Sequence, residues 1–280
     1  MRTTPSVLQP GRHVVITGAS SGLGLELACQ LAELGVALSL IARDPARLAI
    51  ARDQVLAISQ DGRVAIHPVD VADQKGLTSA IAESSETFGA PHVLVNSAGI
   101  IREGYFEDLT DADYRDVMET NLFGSINAVR SALPYLKQTR GAIVNIASVA
   151  GLSGVFGFTP YCASKHALIG FTNALRFELE PQGLRVQLVC PAEFETPMVK
   201  ALDRTRTPEN RAHTQTIPEI PLDQVARETI RGIRSGAHMI VPGWRTRGIV
   251  TVQRLAPGLA STIGRRRIAA ARRDPDIYRC

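Results

Sequence analysis

The chain has 280 residues, 45% hydrophobic and 21% charged, with a formal net charge of +4. That composition suits one large globular α/β unit and excludes wholesale disorder, and 23 glycines without a strict period exclude a collagen-like repeat. No apolar run reaches the roughly 18–20 residues that a membrane-spanning helix needs. The stretch Met1 to Gly11 is short and polar, which does not read as a signal peptide. Cys29, Cys162, Cys190 and Cys280 lack C-x-x-C spacing, and the six histidines lack metal-binding spacing. Free thiols, a cytoplasmic setting and no bound metal are expected. His67 and His92 each border an apolar run and read as structural.

Seven short apolar runs recur: His13–Thr17, Val36–Ala42, Val64–Val69, His92–Asn96, Ala142–Ala147, Arg185–Cys190 and His238–Val241. Most are continuous and rich in Val and Ile, as befits strands buried on both faces. Helical stretches separate them. Asp44-Pro45 reads as a cap followed by a first helical proline. Pro134 is expected to kink or end the long stretch from Asp111. Leu222–Arg234 reads as a helix stopped by Gly236. Strands alternating with helices predict an α/β fold, a doubly wound parallel sheet. Residues 1–243 form the expected domain, with an irregular stretch at about 191–221, and residues 244–280 form a basic extension.

The first strand leads into Thr17-Gly18-Ala19-Ser20-Ser21-Gly22-Leu23-Gly24 and then a helix. Glycines here permit close backbone approach, and a helix N-terminus offers N–H groups to a pyrophosphate, so a nucleotide is expected. At the end of the second strand, Arg43 suits the 2′-phosphate of NADP through a bidentate fork. Asp44 is the competing ligand for the ribose hydroxyls of NAD, and is more simply a helix cap. NADP(H) is therefore expected over NAD(H).

Tyr161 and Lys165, four residues apart on a predicted helix, share one face. A nearby ammonium favours the phenolate, which suits Tyr161 for proton exchange with a substrate oxygen. Ser148 follows a buried strand and is placed to donate to a carbonyl. Together with Asn96-Ser97-Ala98-Gly99, Asn121 and Pro191-x-x-x-x-Thr196, these motifs resemble the short-chain dehydrogenase/reductase family over about residues 11–243. The resemblance implies a Rossmann-type seven-stranded sheet. It gives Tyr161 as proton donor, Lys165 as its partner and the holder of the nicotinamide ribose, Ser148 as polariser of the carbonyl, and Asn121 as anchor of a water leading to Lys165. It places Gly18, Ser20, Ser21, Gly22, Leu23, Gly24, Arg43, Asp70, Val71, Asn96, Ala98, Gly99, Pro191 and Thr196 at the cofactor. It also implies a homo-oligomer, a dimer or tetramer. Ser97 and Ala192 stand where the family often has Ala and Gly.

Gly154 to Lys165, Phe106-Glu107-Asp108-Leu109 and Glu193-x-Glu195-Thr196-Pro197 resemble the 3-ketosphinganine reductase branch. This implies NADPH-dependent reduction of a long-chain amino ketone. Glu193 or Glu195 would pair with the substrate ammonium, unless both are solvated loop carboxylates, and Met198 would cover an acyl chain. The alternatives are another hydrophobic ketone or alcohol (steroid, retinoid or acyl chain), or a non-catalytic NADP-binding regulator, against which the intact catalytic set argues.

Residues 245–280 hold nine Arg against Asp274 and Asp276, so this segment carries +7 and the remainder −3. Basic residues interleaved with apolar ones suit peripheral contact with an anionic, cytosolic membrane face, in at most two short helices broken at Pro257-Gly258. A helix docked on the domain, a subunit contact and a solvated end compete with that reading. Poor stacking support argues against nucleic acid.

Overall fold

A computed structural model describes residues 7–59 and 62–274. Seven strands form one parallel sheet: β1 (His13–Thr17), β2 (Ala37–Ala42), β3 (Val64–Pro68), β4 (Val93–Asn96), β5 (Ala142–Ile146), β6 (Arg185–Val189) and β7 (Met239–Ile240). Each lies within one residue of its expected ends. The order is β3-β2-β1-β4-β5-β6-β7, so the winding reverses between β1 and β4. In-register pairs such as Val15 with Ser39 and Val15 with Leu94 fix β1 between its neighbours. Alternate residues point to opposite faces. Val14 and Ile16 join one core with Leu27 and Leu31 of helix α1 (Gly22–Ala32). Val15, Leu94 and Ile143 join the other core, on the opposite face.

Local signals account for the flanking helices. In α2 (Pro45–Leu56), Asp44 Oδ1 accepts from the N–H groups of Ala46 and Arg47 at 3.0 and 3.1 Å. Asp73 caps α3 (Gln74–Phe88) likewise. Thr110 and Asp113 form a capping box for α4 (Asp111–Met118). Of the expected kink or end at Pro134, the end is absent: α5 (Gly124–Thr139) runs through it. The ring lies on the exposed side, where the freed carbonyl one turn earlier can meet water. The irregularity falls earlier, in one π-helical turn at Glu119–Phe123 between α4 and α5. Helix α6 (Thr159–Leu179) then carries Tyr161 and Lys165.

Residues 191–221 are more ordered than a plain loop. They contain α7 (Pro197–Leu202) and α8 (Pro208–Thr214), each opened by a Thr-Pro pair. Thr196 Oγ1 and Thr207 Oγ1 accept from the N–H groups of Val199 and Asn210 at 3.1 and 3.3 Å. Helix α9 (Leu222–Ser235) ends at Gly236, whose φ is +71°. The basic segment folds into α10 (Trp244–Leu255) and α11 (Pro257–Arg273); the latter has 17 residues and is not short. Arg272 Nε bonds Glu209 of α8 at 3.2 Å, and Arg267 bonds the Gln215 carbonyl at 3.1 Å, so α11 is docked on α8. Cys29, Cys162 and Cys190 are free thiols; Cys280, the tail beyond Asp274, and Met1 to Ser6 lie outside the described residues. Among the described residues, no helix is long and apolar enough to cross a membrane.

Candidate active site

A cleft of about 760 Å³ opens at the carboxyl ends of the strands, where the sheet order reverses. Its floor at one end is the glycine turn. Gly18 has φ +68°, and a Cβ there would stand 2.6 Å from the Ala98 Cα. A Cβ on Gly24 would stand 2.4 Å from the Gly18 carbonyl oxygen, so only glycine lets α1 start this close to β1. Gly22, at φ +55°, faces the Thr196 methyl group across the cleft. Ser20, Ser21 and Leu23 line the same stretch. Ser21 precedes α1 without capping it through its side chain.

Arg43, Asp70 and Val71 line the far end. Arg43 is 65% exposed and pairs loosely with Asp70 at 3.5 Å. Ala98, Gly99 and Pro191 line the middle. Asn96 departs from its expected place: it is 2% exposed and not part of the cleft wall. Its Nδ2 bonds Asn145 Oδ1 at 2.8 Å, tying β4 to β5. The same amide also reaches the Ser125 carbonyl of α5 at 3.4 Å, and the cleft wall begins one residue later, at Ser97.

At the other end lie Ser148, Tyr161 and Lys165. Burial pushes the Tyr161 hydroxyl up to about 12, and a hydrogen bond with Ser148 pulls the other way. The lowering expected from Lys165 is not among the influences on this hydroxyl. The Lys165 Nζ sits 5.5 Å from the centre of the Tyr161 ring and donates to the Ile146 carbonyl at 3.0 Å. Burial holds Lys165 down to about 8. Asn121 is fully buried behind the cleft, in the π-helical turn. Its Nδ2 donates to Ile100 O and Ser164 Oγ, both at 3.0 Å, and its Oδ1 accepts from Ile100 N at 2.8 Å. Asn121 therefore braces the segment after β4 against α6.

A glycine turn at the switch point and a Ser–Tyr–Lys set, placed just after β5 and on α6, form one continuous site. The short chain dehydrogenase family model matches residues 12–207. The chain belongs to the short-chain dehydrogenase family. It is an oxidoreductase of keto and hydroxyl groups. It is 32% identical to the 3-ketodihydrosphingosine reductase of Bos taurus over 231 residues, covering 81% of this chain and 70% of that protein. A short-chain dehydrogenase from Burkholderia phymatum, solved with NAD, superposes with a TM-score of 0.79 at 27% identity over 90% of this chain and 96% of that one. The actinorhodin polyketide ketoreductase, solved with NADPH, gives 0.72 at 29% identity over 85% and 97%.

On the substrate side, this dehydrogenase departs from expectation at both acids. Glu193 borders the cleft, but its carboxylate is taken by Arg206 in a two-pronged pair at 2.8 and 2.6 Å. Arg206 is 3% exposed, so this pair is built into the fold. Glu195 is exposed, lies off the cleft and pairs with Lys200. Neither carboxylate is free for a substrate ammonium. Met198 lines the cleft, together with Val199, Leu202 and Ile217.

Sequence reasoning missed Arg206, His213 and Gln253, which also face this end or anchor it. His213 Nδ1 accepts from the Phe156 N–H at 3.0 Å, and burial lowers the ring's pKa. The two Thr-Pro pairs were a usable signal for α7 and α8. Nothing local marked Arg206 or Gln253.

Proposed function

We propose that this enzyme uses NADPH to reduce a ketone on a hydrophobic substrate to a secondary alcohol, the substrate being a long-chain amino ketone of the 3-ketosphinganine type. The observation that carries this reading is that Ser148, Tyr161 and Lys165 line the same cleft as the apolar side chains of Met198, Val199, Leu202 and Ile217. The dinucleotide fits on physical grounds: the glycine turn starts α1 at the cleft, and no side-chain cap at Ser21 occupies the N–H groups of its first turn. Arg43 would hold the 2′-phosphate. Asp44 favours that choice, because its Oδ1 is committed to capping α2.

When bound, the reduced nicotinamide supplies a hydride to the carbonyl carbon. Ser148 donates a hydrogen bond to the carbonyl oxygen, and Tyr161 gives that oxygen its proton. At pH 7 Lys165 is mostly charged, which stabilises the phenolate left behind. Asn121 keeps α6, and so both groups, in register with the strand ends. Met198, Val199, Leu202 and Ile217 cover the hydrocarbon chain. The likeness to polyketide ketoreductases favours a second reading, reduction of an acyl-chain ketone.

The same proposal gives α10 and α11 a peripheral contact with an anionic bilayer at the cytosolic face. Leu255, Leu259 and Ile263 are 81, 56 and 46% exposed and recur every four residues, beside exposed Arg254, Arg265 and Arg266. Salt-sensitive binding to anionic vesicles, lost in Leu259→Asp, is expected; equal binding by both chains refutes the contact. The proposal includes a homo-oligomer, a dimer or tetramer, read by light scattering.

The reductase is tested by NADPH consumption with 3-ketosphinganine in mixed micelles, with Tyr161→Phe as control. Turnover is expected to fall by roughly 10²–10⁴ in the variant, with NADPH binding retained. Wild-type turnover of a panel of other ketones but not this one would remove the sphingoid assignment.

A further inference from the structure

The C-terminal helices lie beyond the residues that the family model matches, yet they reach the cleft. Three contacts seat α11 on α8. Gly264 meets the His213 ring, where a Cβ would stand 2.9 Å from Nε2. Arg272 bonds Glu209 and lies 5.7 Å over the Phe156 ring. Arg267 bonds Gln215 O. At the start of α10, Arg247 bonds Glu228 at 3.0 Å. Seated this way, α10 presents Gln253 to the cleft.

Four buried side-chain polar atoms lack a hydrogen-bond partner among the described residues: His67 Nε2, Asn96 Oδ1, Gln187 Oε1 and Gln253 Oε1. Only Gln253 among these four belongs to the cleft wall. An orphaned buried polar atom is rare and calls for a partner from elsewhere. An amide at a cleft wall meets that need when a ligand brings a hydrogen-bond donor, and a small turn of the side chain exposes Oε1 to it.

We propose that Gln253 is a specificity-determining residue, accepting a hydrogen bond from a hydroxyl or ammonium group that the substrate carries beside the reacting carbonyl. This rests on the ketone-reductase reading. It replaces Glu193 and Glu195, whose charges are already paired, as the means of reading a polar head group. The C-terminal segment is then a wall of the active site in its own right, whatever its outer face contacts.

The test compares full-length wild type with Gln253→Leu and Gln253→Glu. The substrates are 3-ketosphinganine and a plain long-chain ketone in the same micelles. The ratio of kcat/KM for the amino ketone to that for the plain ketone is expected to fall about tenfold in Gln253→Leu, as loss of one hydrogen bond to a polar group predicts. Gln253→Glu distinguishes the donors. It raises the ratio above wild type if the donor is the ammonium, and leaves it at or below wild type if the donor is the hydroxyl. A ratio unchanged within twofold in Gln253→Leu overturns the proposal. If wild type reduces neither ketone, the reductase reading fails, and the Gln253 proposal is read by equilibrium binding instead. Sphinganine and a plain long-chain secondary alcohol are then titrated into the NADPH-loaded chains. A tenfold fall in the affinity ratio in Gln253→Leu supports the proposal, and a ratio unchanged within twofold overturns it.

Discussion

Replacing Lys165 with Met isolates the cost of keeping a charge in the dry back wall of the cleft. The side chain is 4% exposed, and burial moves its pKa from 10.5 to about 8. At about 1.36 kcal/mol per unit, the folded state disfavours the ammonium by about 3 kcal/mol. The sign follows from proton counting. Below pH 8 both states hold the proton, and the full penalty weakens the fold. Between pH 8 and 10.5 only the unfolded chain holds it, so stability rises with pH by about 1.4 kcal/mol per unit. Above 10.5 the penalty is gone. The Lys165→Met variant has no such proton. In urea melts at pH 7, 8, 9 and 10, the difference in stability between variant and wild type should therefore shift by about 3 kcal/mol in favour of wild type. The lost hydrogen bond to Ile146 O moves the variant's curve as a whole and leaves its slope alone. Burial of the Cys190 thiol, raised to about 12, adds an opposite slope above pH 9, and because Lys165 pulls that thiol down the contribution differs between the two chains, so both are compared in a Cys190→Ala background. Parallel curves would refute the reasoning, because they require the same Lys165 pKa folded and unfolded.

Three further outcomes follow from particular contacts. Arg43→Ala should raise the KM for NADPH roughly 10- to 100-fold and leave NADH nearly unchanged, since a charge-assisted pair contributes about 1.5–3 kcal/mol; parallel initial-rate titrations decide it. Gly18→Ala meets the Ala98 backbone at 2.6 Å with φ at +68°, and should lower stability by at least ~2 kcal/mol and abolish NADPH binding, read by thermal melts and fluorescence titration. Arg206→Met strands the largely buried Glu193 carboxylate and should cost about 3–5 kcal/mol in urea melts. Adding Glu193→Gln to that variant should recover much of the loss.

The sheet was legible because its strands are buried on both faces. Nothing but a continuous apolar run satisfies that environment, and each of the seven runs became a strand. Caps were legible for a local reason: Asp44 and the glycine after α9 act on their own neighbours. The Ser148, Tyr161 and Lys165 set was legible from order and spacing, and the fold brings all three to one end of the cleft. The π-helical turn holding Asn121 was not legible. Its bonds run to Ile100 and to Ser164, 21 and 43 residues away, and no local propensity favours it. Pro134 misled for the converse reason. A proline breaks a helix when its freed carbonyl has nowhere to go, and solvent supplies the remedy here.

Charge was the least legible property. A carboxylate in a polar stretch reads the same whether it faces a ligand, the solvent or a guanidinium, and only the fold supplies the difference. Glu193 meets Arg206 because α7 and α8 fold back over the end of β6, 13 residues on. Glu209 is 6% exposed and meets Arg272, 63 residues away, because α11 returns across α8. The basic tail illustrates both outcomes at once. Arg272, itself 60% exposed, and Arg267 reach back to Glu209 and the Gln215 carbonyl and fix the wall that carries Gln253, while Arg254, Arg265 and Arg266 point to solvent. Composition weighed these five arginines equally, but a charge with a buried partner positions a helix, and a charge in water does not. The two arginines bonded to the α8 region are therefore what makes the tail part of the active site. The outward three, with the exposed leucines beside them, remain available to a surface the chain itself does not contain.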